Sequence, residues 1–330
     1  MNTLRANLNR RHVLALAAGM SAPYALTHAG LARAQQPPAF PNKPITLYVP
    51  FPPGGTTDSL IRKLTELAGK ILNQPVVIEN RPGVSGTMAA SVITRAPAAG
   101  YALALLPETV FRLPHLQKMD FDPLNDFTYI IHLAGYRFSL MPRPGAPWKQ
   151  WSDLVADAKA HPGKITYGST GVNGTIHVTM AEIAQKLGIE WVHVPYKGES
   201  DTAAALLGGH IDLGCVQPQW FGPETRPLVQ WSATRSKRWP DVPTLREVGV
   251  DIVANSPFGI AGPKGMEPQI VKIVHDAFKQ ALDDSSVVEL VEQLNLESAY
   301  LNSADYDRFA RQRYASSGEQ VKRLGLTRQQ

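Results

Sequence analysis

Short runs of β-branched and aromatic residues alternate with segments of helical periodicity along most of the chain. The first unit is the clearest, because residues 45–49 predict a strand and residues 58–72 predict a helix with its apolar positions on one face. Thr57 is the expected N-cap of this helix. Two further strands and a short helix follow before residue 107. This order is typical of a parallel sheet flanked by helices.

The same pattern restarts in the middle of the chain, with strands predicted at 165–168, 191–194 and 211–216 and helices at 175–187 and 199–207. We therefore expect an α/β protein of two lobes, with two doubly wound sheets joined by hinge strands at 127–141 and 252–260. Lobe I is expected to contain residues 41–133 and 252–330, and lobe II residues 134–251. The last three predicted helices are 268–282, 286–294 and 303–324, the final one lying against lobe I.

The amino terminus has the composition of an export signal. Residues 1–34 contain four arginines, no acidic residue and an apolar run at 13–20, and they end in Ala32-Arg33-Ala34, a small-x-small cleavage pattern. We expect a signal peptide cleaved near Ala34 and a periplasmic product. Arg10-Arg11 permits the twin-arginine route, and ordinary secretion fits as well. An uncleaved membrane anchor is the alternative interpretation.

The net charge of +5 at first favours an acidic partner such as nucleic acid or an anionic membrane. However, four of the 33 basic residues and none of the 28 acidic residues lie in residues 1–34. Cleavage there would leave a nearly neutral chain, so no nucleic-acid partner is expected. Cys215 is the only cysteine, which excludes an internal disulfide and a zinc site built of cysteines.

Two glycine-bearing loops, at 50–57 and 168–175, each follow a predicted strand and open a predicted helix. Glycines let backbone N–H groups approach a ligand, and a helix N-terminus attracts anions. Together the loops predict an acidic small molecule held between the lobes, although each is also compatible with a tight turn that only caps its helix. Glu108 and Thr109 follow another strand and are candidates for the same crevice.

The motifs of enzymes are mostly missing from the sequence. Neither Ser85 nor Ser169 lies in a complete nucleophile elbow, no phosphate loop is present, and the histidines show no metal-ligand spacing. We therefore expect no catalytic residue, no cofactor and no metal. The alternative is an exported hydrolase or lyase that uses Ser169 and His177 on a carboxylate in the cleft. His193, on a predicted buried strand, is expected to be structural.

Several motifs together resemble the Bug family, the periplasmic receptors of tripartite tricarboxylate transporters. They are V-P-F-P-P-G-G-T-T-D at 49–58, I-E-N-R-P-G at 78–83, Y-G-S-T-G-V-N-G at 167–174 with His177, V-P-Y-K-G at 194–198, L-L-G-G-H-I-D at 206–212 and P-D-V-P-T at 240–244. The resemblance implies a periplasmic binding protein type II-like fold, closure by a hinge, and a small organic carboxylate as ligand. It also implies delivery to membrane subunits of a transporter, or to a sensor, by a monomer.

In the family, the loops that match 51–58 and 169–174 grip the carboxylate, partly through water, and Asp58 matches a position that supports the first loop. The expected ligand-binding residues are Phe51, Gly54, Gly55, Thr56, Thr57, Asp58, Ser169, Thr170, Gly171, Asn173, Gly174, His177, Tyr196 and Lys197. Asp201, Ala205 and residues 217–221 depart from the family pattern beside the expected cleft. Trp220 or Phe221 there would favour a flat or apolar ligand body.

Overall fold

The computed structural model describes residues 40–222 and 225–326, and the predicted signal peptide at 1–34 lies outside the described residues. The strands are β1 (Ile45–Val49), β2 (Val76–Asn80), β3 (Ala102–Pro107), β4 (Phe127–Arg137), β5 (Ser139–Pro142), β6 (Thr166–Ser169), β7 (Val192–Pro195), β8 (Leu213–Gly214), β9 (Val229–Gln230), β10 (Asn255–Pro263) and β11 (Leu296–Leu301). The α-helices are α1 (Thr56–Leu72), α2 (Met88–Ile93), α3 (Thr109–Arg112), α4 (Trp151–Ala160), α5 (Thr175–Leu187), α6 (Glu199–Leu207), α7 (Pro268–Leu282), α8 (Ser285–Gln293) and α9 (Ser303–Arg323). No helix in the described ranges is long and apolar enough to cross a membrane.

Lobe I is the six-stranded sheet β11-β4-β10-β3-β1-β2 with the helices packed on it. β1 lies parallel to both β2 and β3, which confirms the parallel unit predicted from the first 107 residues. β10 runs antiparallel between β3 and β4, and β11 is antiparallel to β4 at the edge. Helix α9 packs on β4, so the prediction that the last helix lies against this lobe is confirmed.

Lobe II is the five-stranded sheet β7-β6-β8-β5-β9 with α4, α5 and α6. β6 is parallel to β7 and β8, whereas β5 is antiparallel to β8 and β9. Its apolar core surrounds Trp231, which is fully buried among the side chains of β5, α4 and α5. The sheets of the two lobes share no strand.

The chain passes between the lobes twice. It enters lobe II at Phe138, between β4 and β5, and returns between β9 and β10. The entry segment predicted as one stretch at 127–141 is therefore two strands, because β4 pairs with β10 and β11 as far as Arg137 and β5 pairs only inside lobe II. The exact residue limits of the lobes remain a prediction.

Acid is expected to destabilise lobe I through His132 on β4. This side chain is 2% exposed, lies against the rings of Tyr306 and Phe309, and burial lowers its pKa to about 4. The unfolded chain binds the proton near pH 6.5, so the contribution of His132 is complete above that pH. The loss grows as the pH falls towards 4, and at pH 5 it amounts to about 2 kcal/mol of the free energy of unfolding.

Urea unfolding of wild type and His132→Asn at pH 7.5 and pH 5 measures this contribution. The asparagine keeps a donor near the position of Nδ1, which contacts the Ala299 carbonyl. We expect the loss of stability between the two pH values to shrink by about 2 kcal/mol in the variant. His210→Asn, at an exposed position, should leave the loss unchanged. An equal loss in His132→Asn and wild type would contradict the assignment.

Candidate functional site

The first candidate loop joins β1 to α1, and α1 begins earlier than predicted. The helix starts at Thr56 with Gly55 as N-cap, so the prediction of Thr57 as N-cap was wrong. Glycine has no side chain to accept the first-turn N–H groups, which therefore depend on acceptors from elsewhere. Thr57 instead uses its hydroxyl to hydrogen bond the phenol of Tyr136. This helix start therefore suits an anion, and its first N–H, that of Thr56, donates to Glu199 Oε2 at 2.9 Å.

Asp58 holds the loop from inside the first turn of α1. Its carboxylate accepts hydrogen bonds from the Gly54 amide at 2.9 Å, from Asn80 Nδ2 at 2.9 Å and from Arg62 Nε at 2.7 Å. Burial alone would raise the pKa of Asp58, but these hydrogen bonds outweigh it and hold the pKa below its usual value. Asp58 thus stays ionised and fixes the backbone that precedes the helix.

Removing this carboxylate is expected to loosen the loop. In Asp58→Ala we expect the free energy of unfolding to fall by about 2 kcal/mol and carboxylate affinity to fall roughly tenfold, since Gly54 and Arg62 lose their acceptor. Chemical unfolding measures the loss of stability, and calorimetry measures the loss of affinity. Asp284→Ala is the control, because Asp284 caps α8 through the Ser286 amide and should affect stability alone. Unchanged ligand affinity in Asp58→Ala would remove the loop from the site.

The second candidate loop joins β6 to α5 and repeats the arrangement. Gly174 is the N-cap of α5 and again provides no side-chain cap. Gly171, at φ +129°, packs so closely on Ser85 that a Cβ would lie 2.4 Å from its hydroxyl oxygen. Asn173 has a φ of +60° and donates its backbone N–H to His177 Nδ1 at 3.0 Å. His177 therefore holds the loop.

Ser169 at the end of β6 is hydrogen bonded to a histidine other than the one considered from the sequence. Its hydroxyl lies 2.6 Å from His193 Nε2, and the His193 ring stacks on that of His177 at 4.1 Å. Burial lowers the pKa of both imidazoles, that of His193 to about 4 with help from His177. Among the described residues no carboxylate hydrogen bonds to either ring. The acid component of a hydrolase triad is thus not in place here.

The two lobes meet along a seam in front of these loops. Ser85 Oγ of lobe I donates to the Val172 carbonyl of lobe II at 2.6 Å. From lobe II, Gln219 Nε2 donates to Thr56 Oγ1 at 2.7 Å. The seam encloses a cavity lined by Phe51, Pro52, Gly55, Thr56, Thr57, Ser85, Pro107, Thr109, Tyr136, Phe138, Thr170, Thr175, Ile176, Glu199, Cys215 and Ser256. Both lobes contribute to its wall.

The predicted residues divide into three groups. Those that line the cavity are Phe51, Gly55, Thr56, Thr57 and Thr170. Those that shape the loops around it are Gly54, Asp58, Ser169, Gly171, Asn173, Gly174 and His177. Tyr196 and Lys197 line a separate depression on the seam, together with Gly83 and Asp201. The ligand-binding roles of all these residues remain predictions.

Thr109, at the start of α3, lines the cavity, whereas its neighbour Glu108 does not. The Thr109 hydroxyl is buried and has no hydrogen-bond partner among the described residues. Such a group is costly unless something pairs with it, so it points to a polar ligand atom. Glu108 is also buried, but it pairs with Arg313 at 3.0 Å and Arg112 at 3.6 Å.

Other lining residues were not predicted. Tyr136 and Phe138 come from the segment that enters lobe II, and their rings stack at 5.4 Å. Cys215 follows β8, is 4% exposed, and burial raises the pKa of its thiol. Glu199 is the first residue of α6 and, among the described residues, carries the only side-chain carboxyl group in the wall. The signal that could have found Glu199 is its position, because it is the first residue of a helix that directly follows a strand.

Apart from Glu199 and Cys215, the described wall of the cavity contains hydroxyl groups and apolar side chains, and none of its described residues is a lysine, arginine or histidine. Charge on an anionic ligand would therefore be met by N–H groups at the helix starts and by hydroxyls, of which Thr175 Oγ1 accepts from the buried guanidinium of Arg112 at 3.4 Å. No metal-binding cluster of His, Cys, Asp and Glu occurs among the residues the structure covers. This arrangement is suited to binding and orienting a small molecule.

The chain passes twice between two lobes, and the lobes meet over a cavity at which two helices begin. This arrangement is that of a solute-binding receptor. The comparisons with known proteins agree. The chain belongs to the tripartite tricarboxylate transporter family of receptors, whose family model matches residues 60–326. The fold and the resemblance to Bug proteins expected from the sequence are thereby confirmed.

The relatives extend over nearly the whole chain. The UPF0065 protein in the gbd 5' region of Cupriavidus necator is 42% identical and covers 98% of this chain and 100% of its own. The periplasmic binding protein BugD has a TM-score of 0.84 and 26% identity, covering 88% of this chain and all of that one. Rpa4515 of R. palustris, solved with adipate, has a TM-score of 0.82, 28% identity and the same coverage.

Proposed function

We propose that this receptor captures a small organic carboxylate between its lobes in the periplasm and delivers it to a transporter of the tripartite tricarboxylate type. The observation that carries the proposal is the cavity between the lobes at which α1 and α5 both begin behind glycines, with the Thr56 N–H of α1 already paired with Glu199 and the start of α5 without a side-chain cap. A carboxylate is the right size and charge for such a helix start. The adipate bound to Rpa4515 supports the same ligand class.

Binding is coupled to closure in this proposal. A ligand that touches the walls of both lobes makes all its contacts only when the seam has formed, so its differential affinity stabilises the closed arrangement. A membrane subunit would then distinguish loaded from unloaded receptor by the relative position of the lobes. No bond of the ligand is made or broken.

The test is a thermal-shift screen of the purified protein, followed by calorimetry, against small carboxylates and their matched primary amides. We expect at least one carboxylate to raise the melting temperature while its amide, which has the same shape and no charge, does not. Amides that bind as tightly as their acids would overturn carboxylate recognition. Turnover of a bound carboxylate would replace the transport function with an enzymatic one.

A further inference from the structure

Glu199 spans the seam between the lobes at the start of α1. It is the first residue of α6 in lobe II and is 9% exposed. Its Oε2 accepts the backbone N–H of Thr56 at 2.9 Å, and Thr56 is the first residue of α1 in lobe I. The protein therefore places a carboxylate of its own at one of the two helix starts that face the cavity.

The contacts of Glu199 are those of a bound anion. Its Oε1 accepts the backbone N–H of Gln217 at 2.7 Å and the indole N–H of Trp220 at 3.2 Å. These hydrogen bonds are in addition to the one that Oε2 accepts from Thr56. No lysine, arginine or histidine of the described residues forms an ion pair with it. Burial raises the pKa of Glu199, against the three N–H donors that favour the ionised form. The side chain is held by dipoles alone.

A second carboxylate in the cavity would meet this group without a cation to separate the two charges. Like-charged carboxylates at close range do not both ionise, and burial strengthens their repulsion. Burial raises the pKa of the Tyr136 phenol in the same wall, and the charge of Glu199 adds to that shift. A ligand with a carboxylate at each end would have to displace Glu199 or take up a proton.

The other side of the cavity remains suited to one carboxylate. Helix α5 starts there behind the uncapped Gly174, and Thr175 lines the wall beside it. The unpaired Thr109 hydroxyl lies in the same wall and independently indicates a polar ligand atom. The rest of the lining includes the apolar side chains of Phe51, Pro107, Phe138 and Ile176.

We infer that Glu199 determines specificity: it occupies the α1 helix start with its own carboxylate, so the receptor accepts monocarboxylates with an uncharged body and excludes dicarboxylates. This inference rests on the proposed function and narrows it. The departures at 217–221 acquire a role within it, because Gln217 and Trp220 hold Glu199 in place rather than lining the cavity.

The experiment compares matched acids of equal chain length, butyrate with succinate and hexanoate with adipate, by calorimetry at neutral pH. For wild type we expect the monocarboxylate of the tighter-binding pair to bind roughly 30-fold more tightly than its dicarboxylate. Glu199→Ala frees the backbone N–H of Thr56 and removes the carboxylate charge from the cavity wall. The affinity ratio should therefore fall to about threefold or less, because dicarboxylates bind more tightly to the variant.

Two further variants make the comparison interpretable. Glu199→Gln keeps the volume and one acceptor oxygen, and it should narrow the ratio even if Glu199→Ala does not fold. Asp153→Ala is the matched control, because Asp153 is also a first-turn acid of lobe II that accepts backbone amides, from Lys149 and Gln150. It lies outside the cavity and should leave the ratio as in wild type.

The outcomes separate the inference from the function beneath it. Wild type that binds dicarboxylates as tightly as monocarboxylates, or a ratio that Glu199→Ala and Glu199→Gln both leave unchanged, would overturn the role of Glu199 while carboxylate capture stands. Binding of amides in place of acids by every variant would overturn carboxylate capture itself, and the inference with it.

Discussion

Gly198→Ala is expected to lower carboxylate affinity roughly 100-fold by keeping the two lobes apart. Gly198 precedes α6 in lobe II, and a Cβ at this position would lie 2.4 Å from Cδ and 2.9 Å from Cγ of Pro52 in lobe I. The proline ring is rigid and cannot fold away from the new methyl group, so we expect separation of the lobes to relieve the contact. The backbone of Gly198, at φ −171° and ψ −178°, is extended and suits alanine.

The fold of each lobe should survive this change. We therefore expect carboxylate affinity to fall while the melting temperature of the ligand-free protein stays close to that of wild type. Calorimetry of the variant measures the loss of affinity. Gly222→Ala is the matched control, because among the described residues no atom beyond its chain neighbours lies within 4 Å of the position its Cβ would take. The double variant Gly198→Ala with Pro52→Ala removes the ring and should restore most of the affinity. Wild-type affinity in Gly198→Ala would show that closure at this contact is unnecessary.

Trp231→Ala is expected to lower the free energy of unfolding by about 4 kcal/mol. The side chain is fully buried in the core of lobe II, and its ring lies 5.7 Å from that of Phe138. Its backbone also receives the Ala254 N–H and donates to the Phe138 carbonyl, which ties together the two places where the chain changes lobe. The cavity left by the indole would therefore loosen both crossings.

Chemical unfolding followed by circular dichroism measures this loss. Trp231→Phe is the control, and it should cost much less, because the indole N–H has no hydrogen-bond partner among the described residues and only volume is lost. A loss below about 1 kcal/mol in Trp231→Ala would mean that the core of lobe II repacks around the gap.

The two candidate loops could be predicted because their signals are local. A strand, a glycine-bearing turn and a helix follow each other within about ten residues, and the N-terminus of a helix attracts anions whatever surrounds it. The error of two residues at the start of α1 arose from reading Thr57 as a cap. In the fold its hydroxyl is taken by Tyr136, a contact between residues 79 positions apart.

The rest of the site depends on register and closure, which one sequence does not display. Tyr136 and Phe138 reach the cavity because β4 ends at Arg137 and the chain changes sheets there. Glu199 has the appearance of an ordinary first-turn acid, and only the seam shows that it serves the helix start of the other lobe. The pairing of Ser169 with His193 instead of His177 likewise follows from neighbouring strands β6 and β7.

Four elements, α3, α4, β9 and β11, were not predicted at all. Helix α4 has a weakly segregated apolar face, and its N-cap, Gln150, is not one of the usual capping residues, although Asp153 accepts the backbone N–H groups of Lys149 and Gln150. Strand β11 has only a partial alternation of buried and exposed positions and forms because the edge of β4 is available to it. Pairing partners decide such elements more than propensity does.

The single thiol of the chain can serve as a natural reporter of lobe opening. Cys215 lies in the cavity wall, almost completely covered, with a pKa raised by burial, so under the proposed closure a reagent in solution would reach it only while the lobes are parted. The rate at which a thiol-specific dye labels the protein would then report how often the lobes open. A ligand that holds the lobes together slows that rate in proportion to its occupancy, without any engineered label on the protein.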